Sequence, residues 1–212
     1  MPDPLRLLAS RIRELVNDAL KNQLPFAEVQ EQIRLLFRRA GLAEALLADV
    51  TNQARQQYTW IADRTPAPED RAATTAILTT TANQFATASG GIQKSVVDIV
   101  ARGFAKNLTR SEIANLLEHE LGKAAATSRT IAQTATSAFG RANVFHQASD
   151  AGVTKFKYSG PGADRQFCRA NLGRIYTLQD LRKLQNGQGL PVEYYCGGYN
   201  CRHRWLPVVD ES

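Results

Sequence analysis

The sequence predicts a mainly α protein that ends in a small α+β module, and three observations carry that expectation. Apolar residues recur at spacings of three and four through most of residues 1–150; after Gly152 the pattern changes to alternation; and Cys168, Cys196 and Cys201, the chain's three cysteines, fall in its last 45 residues. The predicted organisation is an extended helical arm and bundle over 1–150, followed by a compact Cys/His-stapled module over 151–212. At 212 residues the chain has room for one domain with an extension or for two small domains.

The first predicted helix follows Pro4, with Leu8, Ile12, Leu15, Val16 and Ala19 on one face. Pro25 suits a first helical turn, and Val29, Ile33, Leu36 and Phe37 repeat the pattern until Gly41 stops it. Leu42 to Trp60 is helix-like again, up to a break at Asp63-Arg64-Thr65-Pro66-Ala67-Pro68. A helix starting at Pro68-Glu69-Asp70 is expected to end at Ser89-Gly90-Gly91, with another from Ile92 to Ala105; its weakest stretch is Thr79-Thr80-Thr81, where β-branching costs rotamer freedom. Thr109-Arg110-Ser111-Glu112 is a capping box ahead of Ile113, Leu116, Leu117 and Leu121, with Gly122 as the stop. Residues 124–148 form a final Ala/Thr/Ser-rich helix.

Beyond Gly152, Val153 to Tyr158 alternates like a half-buried strand and ends at the turn Ser159-Gly160-Pro161-Gly162. Arg174-Ile175-Tyr176 is a second short strand, Thr177 to Asp180 caps a helix reaching about Asn186, and a terminal strand spans Arg202 to Val208.

Composition narrows the function classes. The chain is 43% hydrophobic and 22% charged, and no apolar run approaches the roughly 20 residues of a membrane span. The Met1-Pro2-Asp3-Pro4 start lacks the layout of a signal peptide, so a cytosolic protein, or one exported within a larger particle, is expected. Net charge is +6, and residues 151–212 hold nine Lys/Arg against five Asp/Glu, a modest surplus suited to an acidic partner or to nucleic acid.

Cys168, Cys196, Cys201 and His203 are four soft donors, the number a closed tetrahedral zinc site needs. Cys201 and His203 stand two apart and share a face on extended backbone, and Gly197-Gly198 provides a permissive bend. The spacing Cys-x27-Cys-x4-Cys-x-His fits no standard zinc finger, so structural zinc stands beside two other readings: unligated buried residues, and a Cys168–Cys201 disulfide. His119 and His146 lie on helices away from this group. Asp164 and Arg165, after the Gly-Pro-Gly turn, are local partners that fix the loop or meet another molecule, in preference to an enzyme reading with Asp164 as base or metal ligand and His203 as proton carrier. Arg202 and Arg204 flank His203 on the opposite face, where they touch an acidic partner or DNA or are simply the exposed face.

Several of these segments also carry a resemblance. Lys155-Phe156-Lys157-Tyr158, Asp164-Arg165, Phe167-Cys168, Leu172-Gly173-Arg174-Ile175-Tyr176 and above all Gly197-Gly198-Tyr199-Asn200-Cys201-Arg202-His203-Arg204-Trp205 resemble the phage Mu F-like minor head (head morphogenesis) protein family. Upstream, Arg129 to Ala135 and Gly140-Arg141-Ala142-Asn143 look like the helix preceding that tail, so the resemblance spans about residues 108–208. Phe167-Cys168 and Cys196 depart from the commoner family pattern. The resemblance implies a minor capsid component of a tailed double-stranded DNA phage or prophage. It would bind the portal protein, lie near other capsid proteins and packaged DNA, make no membrane contact, and reside in the virion after assembly in the host cytoplasm. That is a non-enzymatic role. The competing reading is a metal-dependent nuclease or toxin-like enzyme, with water activated at the Cys/His site; a stand-alone DNA-binding module is disfavoured by the lack of a concentrated Lys/Arg helix face.

Overall fold

The computed structural model describes residues 4–58, 68–162 and 164–209. Among the described residues five helices come first: α1 Pro4–Asn22, α2 Phe26–Ala40, α3 Leu42–Gln57, α4 Pro68–Ala105 and α5 Arg110–Asp150. The C-terminal part consists of β1 Lys155–Ser159, α6 Gln166–Asn171, β2 Ile175–Thr177, α7 Leu178–Lys183, α8 Val192–Tyr195 and β3 Arg204–Val208. This is the expected mainly α architecture with a small α+β end. No helix among the described residues is long and apolar enough to cross a membrane.

Two predicted helix stops are absent. Gly90-Gly91 lies inside α4 and Gly122 inside α5, so each of these helices is continuous for 38 and 41 residues. None of the three glycines has a positive φ. All are exposed, so the helix bears the roughly 1 kcal/mol cost of each glycine without a packing conflict. Gly41 does stop α2, in the left-handed conformation at φ 50°. The threonine run is helical as expected; Thr81 Oγ1 donates to the Ile77 carbonyl at 2.7 Å, the local bond that lets threonine remain buried in a helix. The Asp63–Ala67 part of the predicted proline-rich break, and the last residues of the helix expected to reach Trp60, lie outside the described residues.

Packing divides the chain into two compact units that do not follow the order of the elements: one comprises 1–48 and 82–129, the other 49–81 and 130–212. In the first, Leu8, Ile12 and Val16 of α1, Val29, Ile33 and Phe37 of α2, Val96 and Val100 of α4, and Ile113 and Leu117 of α5 form one buried cluster. The predicted stripes of α1 and α2 are thus the faces that are buried. The capping box forms at the start of α5: the Thr109 backbone N–H donates to Glu112 Oε2 at 2.8 Å, and Glu112 N–H returns to Thr109 Oγ1 at 3.3 Å.

In the second unit the secondary structure changes character after Asp150. The strands form an antiparallel sheet in the order β2-β1-β3, with Phe156 opposite Tyr176 and Pro207, and Lys157 opposite Ile175 and Leu206. Alternation sends Phe156, Tyr158 and Trp205 to a buried face and leaves Lys155, Lys157, Arg204 and Leu206 exposed. Phe145 of α5 packs on Phe156 with ring centroids 4.5 Å apart, and Trp205 lies 4.6 Å from Tyr158. Tyr158 exchanges backbone hydrogen bonds with Gly173 and Arg174, on the β2 side. Lys157 therefore faces β3, and Pro207, one residue out of phase, takes an edge position where its missing N–H breaks no ladder bond.

Candidate metal centre

Cys168, Cys201 and His203 meet in the second unit, their ligand atoms all within 4.8 Å of one another. Each is supplied by a different local device. Cys168 sits on α6, whose first turn follows the Ser159–Gly162 turn and the Asp164-Arg165 pair. Cys201 and His203 precede β3 on a chain where Cys201, His203 and Trp205 are buried while Arg202 and Arg204 are exposed, the same-face arrangement that the spacing predicts. The Cys168 and Cys201 sulfurs are 3.8 Å apart, and Cys201 Sγ is 3.5 Å from His203 Nδ1.

These distances can be compared with a coordination polyhedron. Metal–sulfur bonds of about 2.3 Å and metal–nitrogen bonds of about 2.0–2.1 Å at tetrahedral angles separate two sulfurs by about 3.8 Å and a sulfur from a nitrogen by about 3.5 Å. Both observed edges agree. The cysteines are free, and the sulfurs are well beyond the roughly 2.05 Å of a disulfide.

Cys196, expected as the fourth donor, is not part of this group. It closes α8 at φ 52° and is fully buried, and burial pushes its thiol up to about 12, which suits an inert core thiol.

The surrounding backbone is shaped around the cluster. A Cβ on Gly197 would come within 2.3 Å of Cys168 Sγ and 3.3 Å of Cys201 Sγ, and one on Gly160 would meet the His203 ring at 2.6 Å. Only glycine fits at either place, which gives the Gly-Pro-Gly turn and the first glycine of Gly197-Gly198 a steric role. Gly197 N–H donates to Cys201 Sγ at 3.3 Å. Burial works to raise the Cys201 thiol, but the N–H groups of His203 and Gly197, with the Tyr158 hydroxyl, bring it below its ordinary value. Cys168 is raised, chiefly by burial, so Cys201 ionises first. Burial also lowers His203, assisted by the charges of Arg141 and Arg165 and opposed by the Pro161 backbone, so the ring is held in the neutral form a metal requires. Among the described residues, His203 Nε2 is buried without a hydrogen-bond partner.

Of the flanking charges, Arg165 fixes the loop, its Nη1 donating to the Gly197 carbonyl at 3.0 Å. The Asp164 carbonyl accepts from Arg169, while Asp164 itself is exposed, as are Arg202 and Arg204.

Sequence reasoning missed Arg141. Arg141, a residue of α5 only 9% exposed, donates through its guanidinium to the carbonyls of His203 at 3.0 Å and Tyr194 at 2.9 Å, and also to that of Cys201. One side chain thereby holds both ends of the Cys-x-His segment. The signal was present: Thr134, Ala138, Arg141, Phe145 and Ala148 run at alternating spacings of four and three, and all are buried, so the arginine stands on a core stripe. No family model, curated protein or solved structure matches this chain.

Proposed function

We propose that this protein is a minor head, head-morphogenesis component of a tailed double-stranded DNA phage or prophage, and that a structural zinc ion held by Cys168, Cys201 and His203 staples its C-terminal end. One observation carries the reading: the segment on which the resemblance to the Mu F-like family rests most, Gly197–Trp205, supplies Cys201 and His203 to the buried cluster and the glycine that packs on its sulfurs. A site 2–8% exposed, closed by glycines that admit no side chain, suits a staple rather than turnover. On this reading the protein binds the portal oligomer in the procapsid and stays with the virion, its long helices offering surface to portal and capsid neighbours.

Co-expression with a tailed-phage portal protein should yield a complex that co-purifies and elutes at the portal's assembled size, and metal analysis should find about one zinc per chain. A protein that ignores the portal and carries no zinc would overturn both parts. The fact that three protein donors converge, not four, favours one second reading, a metal-dependent nuclease, because catalytic zinc keeps one position open. Metal-dependent cleavage of DNA or RNA, lost in His203→Ala protein that remains folded, would establish it.

A further inference from the structure

We infer that the solvent-facing side of the sheet is a docking surface for a protein face that is apolar at its centre and bordered by carboxylates; on the reading above, on which this inference rests, that partner is the portal oligomer. The strand register sets three side chains in one outward row: Ile175 of β2, Lys157 of β1 and Leu206 of β3. Directly opposed residues share a face, so the two aliphatics flank the Lys157 stem in the open, Ile175 at 53% and Leu206 at 37% exposure. Beside this row Lys155 stands opposite Val208, and Ser159 opposite Arg204. The inner side of the same strands is already committed to the core through Phe156, Tyr158 and Trp205.

The charges of residues 151–212 divide along the same line. Of the nine Lys/Arg, four are engaged locally: Arg165 with the Gly197 carbonyl, Arg169 with that of Asp164, Arg182 with Glu193 and Lys183 with Asp180. Lys157, Arg204 and, just ahead of β2 and β3, Arg174 and Arg202 are exposed and have no side-chain partner among the described residues. The three strands contain no Asp or Glu. Unbalanced cations around two bare aliphatics complement carboxylates around an apolar patch: the charges steer and orient the encounter, and the aliphatics supply its buried centre. Nucleic acid fits less well. Phosphates gain nothing from Ile175 and Leu206, and the rings of Tyr176 and Trp205 meet on the inner side, which leaves no outward ring on the strands for a base. An added strand is also disfavoured, because Pro207 occupies the outer edge of β3, and β2 is three residues long and passes directly into α7. The partner therefore docks on the face of the sheet.

The test uses the full chain with a tailed-phage portal oligomer as the probe. It compares the parent with Ile175→Thr/Leu206→Thr, with Lys157→Glu, and with a Leu7→Ser/Leu116→Ser control that removes comparably exposed leucines from the first unit. Threonine suits a strand and both sheet positions are exposed, so the face variants should keep the parent's melting temperature. They should bind the portal at least about tenfold more weakly, while the control binds like the parent. Parent binding should also weaken as salt rises from about 50 to about 500 mM. In the parent alone, amine acetylation read by mass spectrometry should show Lys157 protected in the complex and the exposed Lys106 of the first unit not, a measurement that depends on no variant folding. Face variants within about threefold of the parent, or a Lys157 as reactive in the complex as in the free chain, would overturn the docking face and leave the portal reading standing. So would linear double-stranded DNA that protects Lys157 where the portal does not, since the face would then be a nucleic-acid surface. If the parent does not bind the portal at all, the portal reading itself falls and takes this inference with it.

Discussion

Replacing Arg141 with methionine should be among the most damaging single changes in the second unit. The guanidinium makes three buried, charge-assisted hydrogen bonds to the carbonyls of Tyr194, Cys201 and His203. Methionine fills much of the volume and leaves all three carbonyls unpaired. Each buried group left without its partner costs about 1–3 kcal/mol. Releasing the guanidinium from its own desolvation offsets part of that sum, as for other buried charges. A net loss of about 3–5 kcal/mol follows, in the range found when one member of a buried charged network is removed. For a urea dependence of about 2 kcal/mol per molar, the midpoint falls by roughly 2 M. Arg141→Lys should recover less than half of the loss, because a point charge on a flexible stem cannot reproduce a planar fork aimed at three oxygens. Urea unfolding followed by Trp205 fluorescence, in a Trp60→Phe background so that one tryptophan remains, reports on the unit that contains Arg141. The expected result is a large midpoint shift for both variants with the first unit's helical signal retained. A methionine variant within about 1 kcal/mol of its parent, or a lysine variant indistinguishable from it, would refute the view that Arg141 holds the Cys-x-His segment.

Two other predictions concern the first unit. Gly90→Ala and Gly122→Ala should each stabilise it by about 0.5–1 kcal/mol, since a Cβ at either position meets nothing within 4 Å and alanine is the better helix former. Gly103→Ala should instead destabilise it by about 1–3 kcal/mol, because its Cβ would press on Ile113 Cδ1 at 2.6 Å; thermal melts of the three variants would show opposite signs, and equal signs would contradict the packing of α4 on α5. Glu112 is held below its ordinary value of 4.5 by the Thr109 side chain and backbone. Its contribution is therefore complete above that value and lost as pH falls through the lower folded value, and Thr109→Val should flatten this acid-side slope in denaturation measured across pH 2–6 (approximate range); an unchanged slope would mean that the capping box does not carry it.

What could be read from the sequence followed from how locally each feature is determined. The stripes of α1 and α2 and the capping box at Thr109 depend on residues three and four apart, and they form where periodicity places them. The glycine stops failed for a nonlocal reason. Gly41 and Gly122 offer the same residue at the end of an apolar stripe, but only Gly41 takes positive φ, and Leu42 beside it is 2% exposed in the next helix. Which glycine turns the chain is settled by what the following residues can bury, and neighbouring letters do not encode that.

The candidate site shows the same limit in chemical form. Cys201 and His203 were legible because extended backbone puts alternate residues on one face, and Cys168 because soft donors in one small module tend to converge. Cys196 met the same chemical criterion and does not belong, since a count of donors carries no direction. Arg141 was hidden by an ordinary role, as a charge on a long helix. Arg141 is a buried cation whose side-chain hydrogen-bond partners are three neutral carbonyls, and its charge is felt at Cys196 and His203. Adding a dication to such a surrounding is unfavourable unless the ligands bring negative charge. The pair Cys168 and Cys201 can bring that charge as thiolates. The buried arginine that sequence reasoning overlooked is thus a physical reason for a pair of ionisable thiols, rather than neutral donors alone, at this cluster.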